Sequence, residues 1–430
     1  MRQSSVRVLL ALALTTIVMA VNGVPALSET YRTQLDAPYL ASPSAFAFEL
    51  VGKEADKSDA VWIDEWFFHQ TPPANARMLA KLPIYLSYRA ACRLRVAPLT
   101  AFYASYRCWT AIFLCAFLLL GARCCATAAR DIAPATHASW RSTEMLAMCA
   151  LAALPPVLFG CKFPIHGSPN DLLGYALLAA SMQALFTRNL ARYLLFALCA
   201  IVCRETNLIT LIPLLILGPG GARARGSAAL AIVALSLVFR AVVGGAYDPF
   251  VGARYNWEFP WESASFLYLT FGPLWLTAMF YGLCLMRGPQ QAATRRFLWC
   301  AALSVPLVLV VVLGVARARE IRIPFVLYIY VIPLAVLGIQ RFFDNFTRAR
   351  RALLLSAVLL GMALTFRLYV TLMPLDFAAH ARRAHAFASL YGGFGGGWQF
   401  EFLAYFLLAL PALAIGLSLM RMEASTGAYP

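Results

Sequence analysis

Apolar runs of about twenty residues recur along this chain, and no other feature constrains its fold as strongly. Twenty residues of helix rise about 30 Å, the thickness of the hydrocarbon core of a bilayer. A backbone that enters hydrocarbon must satisfy its own polar groups, and uninterrupted apolar runs do so as helices. The fold class that follows is all-α: a polytopic membrane protein of about a dozen helices, one membrane domain over residues 1–430.

Composition excludes the soluble alternative. The chain is 61% hydrophobic and 13% charged, against about 45–50% and about 25% for soluble globular proteins. Its net charge of +16 would suit a nucleic-acid partner, but the Arg and Lys residues lie between the apolar runs and not on one face. Membrane topology and anionic headgroups account for them, so membrane lipids are the expected partner and nucleic acid is not. Of the 11 cysteines, Cys108, Cys115, Cys149, Cys199, Cys203, Cys284 and Cys300 fall inside apolar runs, where a thiol behaves as a small hydrophobe. None has metal-ligand spacing, so no metal, other cofactor or obligatory disulfide is expected.

Taken in order, the first apolar run starts at Val8 behind Arg2 and Arg7. It reads as a first helix with a cytoplasmic N-terminus or as a cleaved signal peptide. Either way residues 28–98 form the first external loop, which ends on a basic amphipathic helix, Ala80 to Val96, lying in the interface. Spans are expected at Thr100 to Ala122, Glu144 to Cys161 and Asp171 to Phe186. The next run, Tyr193 to Leu217, is interrupted by Arg204-Glu-Thr-Asn207. A single crossing there would place Gly221-Ala-Arg-Ala-Arg225 outside and invert every later basic loop. A short hairpin with Arg204 to Asn207 at its outer apex keeps positive charge inside. Further spans are expected at Ala228 to Tyr247, Phe266 to Met286, Phe297 to Ala316, Phe325 to Phe343, Ala352 to Leu372 and Phe400 to Met420.

The residues that could carry chemistry collect on one face of this topology. Asp64 and Glu65 are adjacent carboxylates with His69 close behind, set among Trp62, Trp66, Phe67 and Phe68. Asp171, Arg204, Glu205 and Asn207 join them, as do Arg317, Arg319 and Arg322 in a basic turn on the side where the charge bias disfavours one. A carboxylate beside arginines at a membrane surface suits deprotonation of a hydroxyl while guanidinium forks hold phosphate oxygens. The bland readings are an Arg204–Glu205 ion pair that closes a broken helix and a snorkelling anchor at Arg317 to Arg322.

An acidic motif in the first external loop, an interface helix behind it and several short or broken helices resemble the GT-C superfamily of integral-membrane glycosyltransferases. Within it, Asp64-Glu-Trp-Phe-Phe-His69, Thr71-Pro-Pro73 and Arg204-Glu-Thr-Asn207 are similar to the Asp-Glu-x-Phe-His, Thr-Pro-Pro and Arg-Gln-Thr-Asn motifs of the dolichyl-phosphate-glucose α-1,2-glucosyltransferases. This chain differs in the early Thr-Pro-Pro, in one residue inserted before the histidine and in Glu205 for glutamine. The resemblance implies a polyprenyl-phosphate sugar donor, a lipid-linked or protein acceptor, and action on the outer side of a bacterial inner membrane or the lumenal side of the endoplasmic reticulum. It places the catalytic base on Asp64 or Glu65, with Asp64 preferred. His69, Asp171, Arg204, Glu205, Asn207, Arg317, Arg319 and Arg322 are the candidate substrate-binding residues. The rival functions are a lipid or solute transporter or flippase, and a non-catalytic membrane subunit.

The hairpin topology is tested directly by a cysteine at Ser227. A membrane-impermeant maleimide should reach it from the cytoplasmic side alone, and labelling from outside would invert the topology.

Overall fold

The computed structural model describes residues 3–23, 58–68, 78–133, 140–158, 168–243, 270–287, 291–314 and 323–344, with short pieces at 256–257, 263–264 and 267–268. Among the described residues the regular structure is entirely helical. Four helices, over Pro98–Ile132, Ala222–Phe239, Ala292–Gly314 and Pro324–Phe343, are long and apolar enough to cross a membrane. The expected spans over 352–372 and 400–420 lie outside the described residues.

The N-terminal helices are α1 (Gln3–Gly23), α2 (Asp59–Phe68) and α3 (Met78–Arg93), the last covering most of the helix expected from Ala80 to Val96. Along α3, Ala80, Lys81, Ile84 and Tyr88 are buried while Leu82 and Leu86 are exposed. The helix therefore keeps an apolar stripe outward, as an interface helix does. Helix α4 (Pro98–Ile132) does not stop at Ala122 as expected. Arg123 and Arg130 are exposed, and the intervening alanine-rich stretch has high helix propensity, so at 35 residues α4 runs about 52 Å, well beyond a bilayer core.

The expected span from Glu144 to Cys161 is also different. It divides into α5 (Trp140–Ala153) and a single turn, α6 (Pro155–Leu158). Two consecutive prolines, Pro155 and Pro156, have no N–H to continue the ladder and disfavour helix in the residue before them. Next come α7 (Ser168–Phe186) and α8 (Leu190–Cys203), followed by a 3₁₀ segment (Glu205–Thr210), α9 (Leu211–Leu217) and α10 (Ala222–Val243). The remainder is α11 (Leu274–Arg287), α12 (Ala292–Gly314), a 3₁₀ turn (Pro324–Leu327) and α13 (Tyr328–Asp344). Helix α11 begins later than Phe266 because Gly272, at φ 53°, and Pro273 set its start.

These elements form two compact units, one of Met1–Gly121 with Pro156–Val251, the other of Ala122–Pro155 with Gly252–Pro430. In the first unit α7 is the central helix, buried around almost its whole circumference, and α3, α8 and α9 pack on it. A helix apolar on all sides is stable only when other helices cover it. The α7–α8 turn places Arg188 at φ 55°, and Asn189 caps α8 by accepting from the Arg192 backbone N–H at 3.0 Å.

In the second unit the corresponding helix is α13, whose described residues from Tyr328 to Gly338 are all buried. Gly338 lets α11 approach: a Cβ there would lie 3.2 Å from both Thr277 Cγ2 and Tyr281 Cβ. Polar side chains tie this unit together at helix ends. Thr294 donates to the Ile132 carbonyl at 2.8 Å, and Asn256 Nδ2 donates to the carbonyls of Val312 and Leu313 at 2.9 and 3.1 Å. Asn256 thus satisfies two of the last carbonyls of α12, which have no partner within the helix.

Gly338→Leu should overpack the α11–α13 contact and lower stability by about 1–3 kcal/mol in thermal unfolding of the detergent-solubilised protein. Gly226→Ala, in open space on a helix, should be neutral or slightly stabilising in the same measurement.

Candidate functional site

Helix α8 ends where Arg204 turns extended, at φ −161° and ψ 132°. Its N–H still bonds the Ala200 carbonyl at 2.9 Å, so the break follows a complete last turn. The direction taken next is settled by Tyr193, whose hydroxyl donates to the Thr210 carbonyl at 2.9 Å. Tyr193 stands near the start of a helix about 21 Å long. Had the chain continued along the axis, Thr210 would be far beyond the reach of that phenol. The 3₁₀ segment therefore folds back along α8, and Asn207 Nδ2 donates to the Ala200 carbonyl at 2.7 Å on the way. The reversal expected at Arg204 to Asn207 is present.

The charges at this reversal are buried. Arg204 is 3% exposed and Asp171 2%, and Arg204 Nη1 is ion-paired and hydrogen-bonded to Asp171 Oδ1. Asp171 lies in the first turn of α7 and Arg204 caps the C-terminal end of α8. Antiparallel packing of the two helices sets the N-terminal dipole end, which favours a carboxylate, beside the C-terminal end, which favours a cation. One turn on from Asp171, Gly174 allows the close approach: a Cβ there would lie 3.0 Å from Asn207 Nδ2 and 3.4 Å from Cys203 Cβ. Asn170 Oδ1, Asn207 Oδ1 and Thr210 Oγ1 are buried here with no hydrogen-bond partner among the described residues.

Glu205, half-buried, lines a cavity of about 560 Å³ between α8, its 3₁₀ continuation and α10. The carboxylate on Arg204 Nη1 is thus that of Asp171, 33 positions away in sequence, and not the adjacent Glu205 weighed in the bland reading.

Asp64 occupies a second locus. On α2, Ile63 and Phe67 are buried, and the Phe67 ring packs 4.9 Å from Tyr85, 5.5 Å from Phe102 and 6.2 Å from Tyr88. This aromatic cluster docks α2 on α3. Asp64 is half-buried, and its Oδ1 is buried with no hydrogen-bond partner among the described residues. Burial holds the Tyr88 phenol above its ordinary pKa, with neighbouring Cys92 and the Asp64 carboxylate adding to the effect. Glu65 is the next residue of α2. His69, Arg317, Arg319 and Arg322 lie outside the described residues, as does Thr71-Pro-Pro73.

Of the predicted site residues, the structure brings Asp171, Arg204 and Asn207 together, with Glu205 on the adjoining cavity. Sequence reasoning missed Lys81, 3% exposed on α3, a helix that packs on α7 and α8. Helical spacing sets Lys81 on one face with Ile84 and Tyr88, but spacing alone does not say which face of α3 is covered. It also missed Asn170, Tyr193 and Thr210, for which no local pattern exists. Among the described residues no group of three His, Cys, Asp or Glu could hold a metal. Comparison with protein-family models, curated proteins and solved structures finds no match to this chain.

Removing one member of the buried pair leaves an uncompensated charge. Arg204→Met or Asp171→Leu alone should cost about 3–5 kcal/mol, and the double substitution should recover most of it. Thermal unfolding of the four proteins as a double-mutant cycle measures this. Additive losses would show that the pair does not act as a unit.

Proposed function

We propose that this chain is a membrane-embedded glycosyltransferase that moves a sugar from a polyprenyl-phosphate donor to a lipid-linked or protein acceptor, with Asp64 as the catalytic base. The observation that carries the reading is Asp64 itself: a carboxylate on α2, the helix that Phe67 docks in an aromatic cluster, with one oxygen buried and no partner for it among the described residues. A buried acceptor oxygen left unmatched costs stability, and an incoming hydroxyl supplies the missing donor.

In the reaction the acceptor oxygen forms a bond to the anomeric carbon as the bond from that carbon to the lipid phosphate oxygen breaks. The hydroxyl proton passes to the Asp64 carboxylate, and the polyprenyl phosphate leaves as an anion that needs no strong acid. Arg317, Arg319 and Arg322 are the proposed phosphate ligands, because a guanidinium fork matches phosphate oxygens. The Arg204 charge is already met by Asp171, so Arg204 serves the reading by holding the reversal in place.

Asp64→Asn removes the base and nearly preserves shape. Transfer from a polyprenyl-phosphate sugar should fall about 100-fold or more, with donor binding retained. Full activity in Asp64→Asn with loss in Glu65→Gln would move the base to Glu65. Full activity in both would remove the support for a transferase.

A further inference from the structure

Helix α3 packs on α7 and α8 and buries Ala80, Lys81, Ile84 and Tyr88. Its other face is uncovered. Leu82, Leu86, Arg89 and Arg93 are all exposed, and spacings of four, three and four residues set them in one stripe along the helix. The stripe is about 16 Å long, apolar in its first half and basic in its second. On α2, the exposed Phe68 stacks edge-on against Tyr85 at 5.0 Å and widens the apolar half.

The basic half has no counter-charge of its own. From Met78 to Arg93 the helix contains no acidic residue, and among the described residues neither Arg89 nor Arg93 forms an ion pair with a carboxylate. Arg89 lies 5.9 Å from the centre of the Tyr85 ring, a contact that steadies the cation without giving it an acceptor oxygen. The Tyr88 phenol, one residue before Arg89, feels both that cation and the Asp64 carboxylate. The basic end of the stripe therefore adjoins the Asp64 locus.

The ligand follows from charge and shape. One helical turn separates the two guanidinium groups, close enough for both to reach one phosphate, and each fork matches a pair of phosphate oxygens. Two cations balance a phosphate monoester, which carries about −1.5 to −2 at neutral pH, better than a diester with a single charge. Free phosphate would leave Leu82, Leu86 and Phe68 facing water, whereas an acyl or isoprenoid chain covers them.

We infer that the exposed stripe of α3 binds a lipid phosphomonoester, with its chain along Leu82 and Leu86 and its phosphate between Arg89 and Arg93. On the transferase reading this lipid is the polyprenyl phosphate left after the sugar has gone, a monoester, and not the donor, a diester. That role rests on the transferase reading above. The binding itself does not.

The test uses the full chain in phosphatidylcholine nanodiscs with diazirine-bearing farnesyl monophosphate, its methyl diester and the parent alcohol as probes. Peptide mapping should place the monophosphate on residues 82–93, about tenfold above either of the others. Arg93→Gln should lower that labelling about tenfold, and Arg89→Gln with Arg93→Gln should bring it down to the level of the alcohol. Arg192→Gln, which removes an exposed arginine from α8, should leave it unchanged. These positions are exposed, so every variant should unfold at the temperature of the parent protein. Equal labelling by the three probes, or an equal loss in Arg192→Gln, would reduce the stripe to a nonspecific charged surface and overturn the inference. Displacement of the probe by an equal concentration of inorganic phosphate would overturn it in favour of a soluble ligand. If labelling holds and no donor supports sugar transfer, the site stands and the transferase reading falls. If transfer proceeds and labelling fails, the site falls alone.

Discussion

A carboxylate and a guanidinium shut away from water hold the point where α8 breaks. The break exposes backbone groups that a continuous helix would have satisfied, and inside an apolar unit each needs a partner from the protein. Ala200 supplies one carbonyl to both the Arg204 N–H and the Asn207 side chain, and Tyr193 reaches the Thr210 carbonyl. The Asp171–Arg204 pair then joins the reversal to α7, with both charges at the helix ends whose dipoles suit them. Such a pair gains little over well-packed hydrocarbon, but losing half of it is costly. What it provides is position: the 3₁₀ segment has one place to lie.

The two polar loci of the first unit differ in a way that bears on function. At the reversal each charge has its counterpart within the protein, which is the condition of a structural pair. At Asp64 one carboxylate oxygen is buried without a partner among the described residues, the feature on which the proposed transferase reading draws. Glu205, next to the paired arginine in sequence, lines an apolar groove.

Among its described residues the second unit buries one carboxylate, Glu144 at 2% exposure, and is otherwise joined by close packing and neutral polar contacts. Helix α13 is covered on all sides, Gly338 permits α11 to close on it, and neutral side chains finish the helix ends. Ser304 and Tyr330, and Thr143 and Gln340, pair across helices with hydroxyls and an amide. Hydroxyls and amides cost far less to bury than charges once hydrogen-bonded. Close helix approach through a small residue and hydrogen bonding by neutral side chains are the usual means of joining helices in hydrocarbon.

By itself the sequence determined the helical class, the helix α3 and the reversal at Arg204, because each rests on local periodicity or on counting charges between apolar runs. Helix limits were less legible. Hydropathy marks where hydrocarbon ends and not where the helix does, so α4 continues through Arg123, and the prolines at 155 and 156 cut a run that composition alone reads as continuous. Only the tertiary structure decided who partners whom. Arg204 has Glu205 beside it in sequence, yet a residue and its immediate neighbour on a turn point in different directions. The antiparallel packing of α7 and α8, close at Gly174, brings Asp171 to it from 33 positions away. Lys81 is buried for the same reason, since which face of α3 meets α7 and α8 is set by the helices it packs against.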